Sequence, residues 1–236
     1  MKVLITGTSQ GIGKAIAEYF LDQSHSVIGI DCQESTIVHD HYMHYVCDIC
    51  QTEILPHIPD VEILVNNAGV QNSNDIDVNL KALIRLSEKY ALQPNIKSVL
   101  NIGSASAHTG SEFPEYCASK GGVVAYTKNL ALRLAGYGAT CNSLDPGGVV
   151  TPLNAPVMND PRLWEQIMDE TPLKKWATSS NELLRKDADA LLQIRCKELK
   201  YIVASRYSTI TDEIHNGYKA LERYFEEISK FYSPVI

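Results

Sequence analysis

The stretch Gly7-Thr8-Ser9-Gln10-Gly11-Ile12-Gly13 decides the fold, because it follows the apolar run of residues 2–6 directly and opens a helix-like stretch at 11–23. Glycines in such a turn let backbone N–H groups and the helix N-terminus approach a pyrophosphate, where aligned peptide dipoles favour the anion. A glycine-rich turn alone also occurs as a purely structural turn. Its place between a strand and a helix favours dinucleotide binding. The expected cofactor-binding residues of this turn are Gly7, Ser9, Gln10, Gly11, Ile12 and Gly13.

The apolar runs outside this turn alternate with helix-like stretches. The runs lie at 2–6, 26–30, 43–47, 62–66, 97–102 and 139–144, and the helix-like stretches at 11–23, 75–92 and 115–135. This alternation is typical of βαβ units that feed a parallel sheet. The sequence therefore predicts an α/β fold, a doubly wound parallel sheet of Rossmann-like type, as a dinucleotide-binding and catalytic domain over residues 1–177.

The composition changes in residues 178–236, where Gly217 is the only one of the 14 glycines and Pro234 the only one of the 10 prolines. Ser179 and Glu182 have the spacing of a capping box, and apolar stripes at helical spacing follow. We expect a helical C-terminal segment. It either replaces or follows the usual last strand of such a sheet, or it is a fused or frame-shifted tail, and the sequence leaves these alternatives open.

The composition and charge of the chain exclude some classes of partner. A chain of 236 residues with 44% hydrophobic and 21% charged residues is ordinary for a soluble globular protein. A net charge of -7 supplies no basic field, which argues against nucleic acid or an anionic membrane surface. Neither a signal peptide nor an apolar run of membrane-spanning length is recognisable. We expect a cytoplasmic enzyme that acts on a small molecule.

The six cysteines suggest buried thiols rather than a disulfide framework, because no secretory signal accompanies them. Cys47 and Cys50 form a C-x-x-C, but no second pair lies nearby to complete a metal site. We expect no bound metal.

Asp31 follows the apolar run at 26–30, about where an acidic side chain meets the adenosine ribose in dinucleotide-binding folds. A carboxylate there would accept both ribose hydroxyls and repel a 2′-phosphate, and neither Gln10 nor Cys32 supplies the cation that the phosphate would need. The alternative is a solvated turn aspartate. The sequence thus favours NAD over NADP as the cofactor.

Tyr116 and Lys120 are four residues apart in a predicted helix, so that their side chains project from one face. A tyrosine with a pKa near ~10 exchanges protons poorly at neutral pH unless a cation stabilises its phenolate, and Lys120 is placed to do so. Taken alone, this pair is also common on solvated helix faces.

Taken together and in chain order, these features resemble the short-chain dehydrogenase/reductase family. The further matching motifs are Asn66-Asn67-Ala68-Gly69, Asn79 within Asp77-Val78-Asn79-Leu80, Ser104, and Pro146-Gly147 followed by Thr151-Pro152. The resemblance covers residues 1 to about 177. It implies an NAD(H)-dependent oxidoreductase that transfers a hydride between the nicotinamide and an alcohol or ketone.

The resemblance also implies a role for each matching residue. Tyr116 would exchange a proton with the substrate oxygen, Ser104 would hold that oxygen, Lys120 would bind the nicotinamide ribose and lower the pKa of Tyr116, and Asn79 would anchor a water on a proton path to Lys120. The residues expected on the cofactor side are Asp48, Asn67, Ala68, Gly69, Pro146, Gly147, Val149 and Thr151.

Several features depart from the family or leave alternatives open. Ser106 rivals Ser104, because the interval from Ser104 to Tyr116 is short for the family, and His108 is interpreted as a surface residue. The interval from Asn67 to Asn79 is also short, which predicts a more open pocket. The alternative function is a catalytically impaired NAD-binding sensor or scaffold. The family usually assembles through helices corresponding to 75–92 and 115–135, so we expect a homodimer or homotetramer.

Overall fold

The computed structural model of the chain describes residues 1–171 and 174–178. Its centre is a parallel sheet of six strands, and the predicted apolar runs form all six. The strands are β1 (Lys2–Thr6), β2 (Ser26–Asp31), β3 (Tyr42–Val46), β4 (Ile63–Asn66), β5 (Ser98–Ile102) and β6 (Thr140–Leu144). The prediction of a doubly wound α/β fold is confirmed.

The strand order is β3-β2-β1-β4-β5-β6, so the direction of winding reverses between β1 and β4. In open parallel sheets, ligands bind outside the carboxyl ends of the strands at this reversal. The turn that begins at Gly7 follows β1, and Asn67 follows β4. The topology therefore places both predicted cofactor segments at the same crevice.

Helices cover both faces of the sheet. They are α1 (Gly11–Asp22), a π-helix (Ile76–Ala82) continuous with α2 (Leu83–Tyr90), α3 (Ser106–Thr109), α4 (Pro114–Leu134), α5 (Ala155–Met158) and α6 (Pro161–Glu170), with 3₁₀ turns at Thr52–Ile54, Ala135–Tyr137 and Pro152–Asn154. The three predicted helices are present, although the second begins with π-helical geometry. Helix α6 is not among the helices predicted from the sequence.

The alternation of side chains along β1 divides the core into two layers. Val3 and Ile5 pack with Phe20 of α1 on one face, whereas Leu4 points to the other face and packs in the cluster that contains Leu86 of α2 and Leu130 of α4. A parallel strand that is covered on both faces has apolar residues pointing to both sides, which is why β1 and β4 show no alternation of polar and apolar residues.

Buried amides fix the two strands that lead into the site. The Asn66 side chain at the end of β4 donates to the Asn101 side chain of β5 at 2.9 Å and to Ser87 Oγ of α2 at 2.9 Å. The Asn101 amide in turn donates to Thr127 Oγ1 of α4 at 2.9 Å. Asn66 Oδ1 has no partner of its own among the described residues. The hydrogen bonds that the two amides do make link β4 and β5 to α2 and α4, and so help to set how these helices pack on the sheet.

Beyond β6, Val149–Val150 (β7) pairs in parallel with Ala177–Thr178 (β8) as a separate two-stranded sheet. The predicted helical segment 178–236 lies outside the described residues, apart from Thr178 in β8. Within residues 1–171 and 174–178, no helix is both long enough and apolar enough to cross a membrane.

Candidate active site

The turn between β1 and α1 has the backbone geometry of a phosphate-binding loop. Gly7 and Gly11 have φ angles of +75° and +60°, in the left-handed region that favours glycine. At Gly13 a Cβ atom would overlap the Gly7 carbonyl oxygen and the Asn67 side-chain nitrogen. The turn therefore packs closely enough that only glycine fits, and it leaves the N-terminus of α1 open to an anion. These residues fit a dinucleotide.

Asp31 ends β2 beside this turn. Its Oδ2 atom accepts a hydrogen bond from the Ser9 N–H at 2.9 Å, and its Oδ1 atom accepts one from the Gln33 N–H at 3.0 Å. The carboxylate is thus held at the predicted ribose position, and each oxygen keeps a further lone pair. Asp48, the expected adenine-side residue, is exposed just after β3, where its Oδ1 atom accepts from the Cys50 N–H at 2.9 Å.

Asn67, Ala68 and Gly69 are fixed to the end of β1. The N–H groups of Asn67 and Ala68 donate to Thr6 Oγ1 at 3.0 and 3.1 Å, and the Asn67 amide donates to the carbonyl oxygens of Thr6 and Gly7 at 3.0 and 3.1 Å. The β4 segment therefore supports the phosphate turn directly.

Lys120 is buried under the site, with 5% of its surface exposed. Its Nζ atom donates a hydrogen bond of 2.9 Å to the carbonyl oxygen of Ile102, at the carboxyl end of β5. Burial lowers the pKa of Lys120 to about 8, and the carboxylates of Asp145 and Asp75 oppose that shift. The ammonium form of Lys120 therefore prevails at neutral pH, although by a smaller margin than for an exposed lysine.

Tyr116 lies one helical turn before Lys120, and the Lys120 ammonium is 5.8 Å from the centre of its ring. Burial raises the pKa of Tyr116 to about 12, while a hydrogen bond with Ser104 lowers it and the Glu112 and Asp75 carboxylates raise it. Lys120 is not among the causes of this shift, so the expected lowering of the Tyr116 pKa by Lys120 is not observed. That role of Lys120 stays a prediction for the cofactor complex.

The two rival serines have different partners. The Ser104 hydroxyl lies near Tyr116 and lowers its pKa, whereas the Ser106 hydroxyl lowers the pKa of the Glu112 carboxyl group. The hydroxyls themselves are 3.2 Å apart, and the Ser106 N–H donates to Ser104 Oγ at 3.1 Å. The geometry therefore places Ser104, rather than Ser106, beside the tyrosine hydroxyl.

Asn79 lies in the π-helix, with 1% of its surface exposed. Its Oδ1 atom accepts from the Val70 N–H at 2.8 Å, and its Nδ2 atom donates to the Val70 carbonyl at 2.9 Å and to Ser119 Oγ at 3.2 Å. A Cβ atom at Gly69 would lie 3.1 Å from Asn79 Oδ1 and 3.6 Å from Lys120 Nζ, so Gly69 keeps the space between them open. Single π turns often occur at functional sites.

The segment after β6 closes the crevice from the other side. The Pro146 carbonyl accepts from the Ala105 N–H at 2.8 Å, which joins this segment to the Ser104 loop. The Thr151 methyl group is 3.5 Å from where a Cβ atom of Gly11 would lie. Gly147 is partly buried between them, and Val149 is buried in β7. The structure thus places Thr151 beside the phosphate turn and Pro146 beside the Ser104 loop.

Three acidic residues that are not among the predicted site residues act on the charges of Tyr116 and Lys120. Asp145 is completely buried directly before Pro146; it accepts from Ser143 Oγ at 2.5 Å and lies 2.8 Å from His108 Nε2. His108 is exposed, as a surface residue should be, and its ring is held by Asp145. Asp75 and Glu112 are the other two. Asp75 comes one turn before Asn79, and this spacing is the sequence signal that could have identified it.

The comparisons with known proteins agree with this geometry. The sequence model of the short chain dehydrogenase family matches residues 1–162. A 3-oxoacyl-[acyl-carrier-protein] reductase of Vibrio cholerae is 32% identical over 190 residues, which are 67% of this chain and 78% of that protein. The chain therefore belongs to the short-chain dehydrogenase family, a family of nucleotide-binding oxidoreductases.

Solved structures share the fold at lower sequence identity. A 4-hydroxyisoleucine dehydrogenase mutant with NADH and succinate has a TM-score of 0.75 at 23% identity and covers 89% of this chain and 99% of its own. The ligand-free aldohexose dehydrogenase of Thermoplasma acidophilum has a TM-score of 0.72 at 25% identity, over 89% of this chain and 95% of its own. Other structures with this fold hold NAD or NADP.

Proposed function

We propose that the protein is an NAD(H)-dependent oxidoreductase that interconverts an alcohol and a ketone. The observation that carries this proposal is the convergence of Ser104, Tyr116 and Lys120 at the carboxyl end of β5. There, the Ser104 hydroxyl lowers the pKa of Tyr116, and the Lys120 ammonium lies 5.8 Å from the centre of the Tyr116 ring. Membership of the family indicates the class of reaction. Among these residues, Tyr116 is the proton donor, and Ser104 and Lys120 are the groups that assist it.

The roles of the residues follow from their chemistry. A bound nicotinamide supplies or accepts the hydride. Tyr116, whose burial keeps its hydroxyl protonated, donates that proton to the oxygen of a ketone and recovers it in the reverse direction. Ser104 holds the same oxygen through its hydroxyl. The positive charge of Lys120 stabilises the tyrosinate that remains after proton transfer. Asn79 holds a water molecule beside Lys120, and this water returns the proton.

We propose NAD rather than NADP as the cofactor. Asp31 places a negative charge where NADP would carry its 2′-phosphate, and its two backbone hydrogen bonds prevent it from turning away. Solved structures with this fold hold NADH, NAD or NADP, so the preference for NAD is inferred from Asp31 alone.

We further propose that the protein is cytoplasmic and forms at least a homodimer. The α4 helix exposes Leu132, with 79% of its surface accessible, and the neighbouring Tyr137 is 42% exposed. Apolar side chains on the outer face of α4 fit burial against a second copy of the chain. Light scattering at micromolar concentration tests this, and a monomer would contradict it.

The alternative is an NAD-binding sensor or scaffold without turnover. An NADH titration followed by fluorescence, run beside a panel of alcohols and ketones followed by NADH absorbance, separates the two. The proposal predicts saturable NADH binding and turnover of at least one substrate. Binding without any turnover would favour the sensor, and absence of binding would reject both.

A further inference from the structure

The two segments that flank the catalytic tyrosine carry negative charge only. Residues 67–79 and 104–116 contain Asp75, Asp77, Glu112 and Glu115, but neither lysine nor arginine. Asp77 and Glu115 face solvent, since the Asp77 side chain is 46% exposed and pairs with Lys81, and Glu115 is exposed. The other two carboxylates, Asp75 and Glu112, both raise the pKa of Tyr116 by their charge.

Glu112 lies at the rim of the site in a strained backbone conformation, with a φ angle of +87°. Its carboxylate is held by two neutral donors, the Gln71 amide and the Ser106 hydroxyl, and the surrounding protein raises the pKa of Glu112 by desolvation. Glu112 has no ion pair within residues 1–171 and 174–178. The rim therefore presents a fixed, accessible carboxylate without a countercharge.

Asp75 lies deeper, with 1% of its surface exposed, and its Oδ1 atom has no hydrogen-bond partner. A buried carboxylate oxygen without a partner is uncommon, because removing such a group from water is costly. Asp75 acts electrostatically on both Tyr116 and Lys120. Lys120, the nearby buried cation, donates to the Ile102 carbonyl. Among the described residues, Asp75 therefore brings a buried carboxylate oxygen without a hydrogen-bond partner to the segment that carries Asn79, one helical turn before that residue.

Building on the proposed oxidoreductase function, we propose that the substrate carries a positively charged group, such as a primary ammonium, close to its alcohol or ketone carbon. Glu112 binds this group at the rim, and the charge of Asp75 attracts it from within. The single positive charge of such a group would offset part of the negative charge of these carboxylates, and a charge-assisted hydrogen bond to Glu112 would add direction.

The same charges act against anionic substrates. A substrate with a carboxylate beside its reacting carbon would bring a third negative charge close to Glu112 and Asp75, and repulsion between like charges at close range disfavours such a ligand. The relative from Vibrio cholerae is a 3-oxoacyl-[acyl-carrier-protein] reductase. We infer that this chain has kept the family's reaction and acts on a different class of substrate.

The test uses three ligands of similar size: 1-amino-2-propanol as the cation, 1,2-propanediol as the neutral ligand and lactate as the anion. Each is titrated into the full-length protein saturated with NADH, where an alcohol cannot react, and binding is followed by the fluorescence of bound NADH. We expect the amino alcohol to bind on the order of tenfold more tightly than the diol, and lactate to bind most weakly.

Glu112→Gln and Asp75→Asn each remove one charge with little change of shape. Both variants should lose the preference for the amino alcohol, while their affinity for the diol stays within about twofold. Glu115→Gln and Asp77→Asn are the matched controls, because these carboxylates lie on the same two segments and face solvent. The controls should keep the preference.

The outcomes separate this inference from the proposed function. Failure of the unmodified protein to bind NADH rejects the proposed function itself. Normal NADH binding with equal affinity for the three ligands, with tighter lactate binding, or with binding of none of them overturns the substrate class alone. If Glu112→Gln changes the ratio of NAD⁺ to NADH affinity but not the amino alcohol preference, the charge serves the cofactor and the inference is wrong.

Discussion

The Nζ atom of Lys120 donates a hydrogen bond of 2.9 Å to the carbonyl oxygen of Ile102, so the last residue of β5 holds the lysine of α4 in place. A carbonyl oxygen attracts the ammonium but does not neutralise it. The buried charge therefore depends on the more distant carboxylates of Asp145 and Asp75. This arrangement lowers the free energy of unfolding, and it also sets the pH at which Lys120 loses its charge. One measurement checks each consequence.

Replacing Lys120 by methionine is expected to stabilise the fold while impairing function. A lysine with a pKa of about 8 in the folded protein and roughly 10.4 when unfolded binds its proton more tightly in the unfolded chain. Folding therefore loses up to about 3 kcal/mol below pH 8, and the loss diminishes as the pH rises toward 10.5. Urea unfolding at pH 7 checks this.

Lys128→Met is the control, because Lys128 is exposed on the same helix, and it should change the free energy of unfolding little. A lower free energy of unfolding for Lys120→Met would contradict the prediction.

The rate of ketone reduction should fall as the pH rises through about 8, because Lys120 loses its charge there. Asp145 is the stronger of the two carboxylates that raise the pKa of Lys120, so Asp145→Asn should move this fall to lower pH. A pH profile of kcat with NADH measures the shift. Asp77→Asn, which removes a surface carboxylate, should leave the profile in place. An unchanged profile in Asp145→Asn would show that Asp145 acts only through His108.

Local sequence patterns were sufficient to predict the sheet. The central strands β1, β2 and β4 are buried and appear as apolar runs, and the glycine-rich turn lies between the first of them and a helix. The positions of Tyr116 and Lys120 follow from helical spacing alone. Asn79 also lies where the family pattern places it.

The charges around the site could not be predicted in this way. Asp145 acts on Lys120 across two elements, and whether a carboxylate near a strand end points inward depends on packing that no local pattern encodes. Glu112 resembles a surface loop residue until its φ of +87° and its contact with Gln71 are known. The raised pKa of Tyr116 has the same origin, because burial is a tertiary property.

Asp31 is expected to select NAD. Asp31→Ala combined with Cys32→Arg should remove the repulsion of a 2′-phosphate and add a cation beside it, so that the preference moves toward NADP. Because Asp31 also accepts hydrogen bonds from Ser9 and Gln33, Asp31→Asn is made in parallel to separate lost charge from lost structure. Titrations with NADH and NADPH give the affinities. Tighter binding of NADPH by the unmodified protein would show that the assignment is wrong.

Two glycine-to-alanine substitutions should have opposite effects. At Gly13 the new Cβ would overlap the Gly7 carbonyl and the Asn67 amide, so Gly13→Ala should distort the turn and weaken NADH binding on the order of tenfold or more. At Gly121, within α4, the new Cβ meets nothing within 4 Å, so Gly121→Ala should stabilise the fold by roughly 0.5–1 kcal/mol. NADH titration and thermal unfolding check the pair. Normal NADH binding by Gly13→Ala would argue against a phosphate site in this turn.

Tyr116→Phe is expected to abolish turnover, by at least about a thousandfold in kcat, while leaving NADH affinity nearly unchanged. The hydroxyl of Tyr116 carries the exchanged proton and hydrogen-bonds Ser104, whereas the ring keeps its place above the buried Lys120. Lys120→Ala should weaken both turnover and NADH binding, because the lysine is proposed to serve both. Tyr126→Phe is the control, since its hydroxyl lies on the same helix but donates to Glu88 at 3.1 Å, away from the site. Stopped-flow single turnover with saturating NADH separates chemistry from binding. If Tyr116→Phe kept most of its single-turnover rate, the proton would come from another group, and the assignment of the whole site would have to be abandoned.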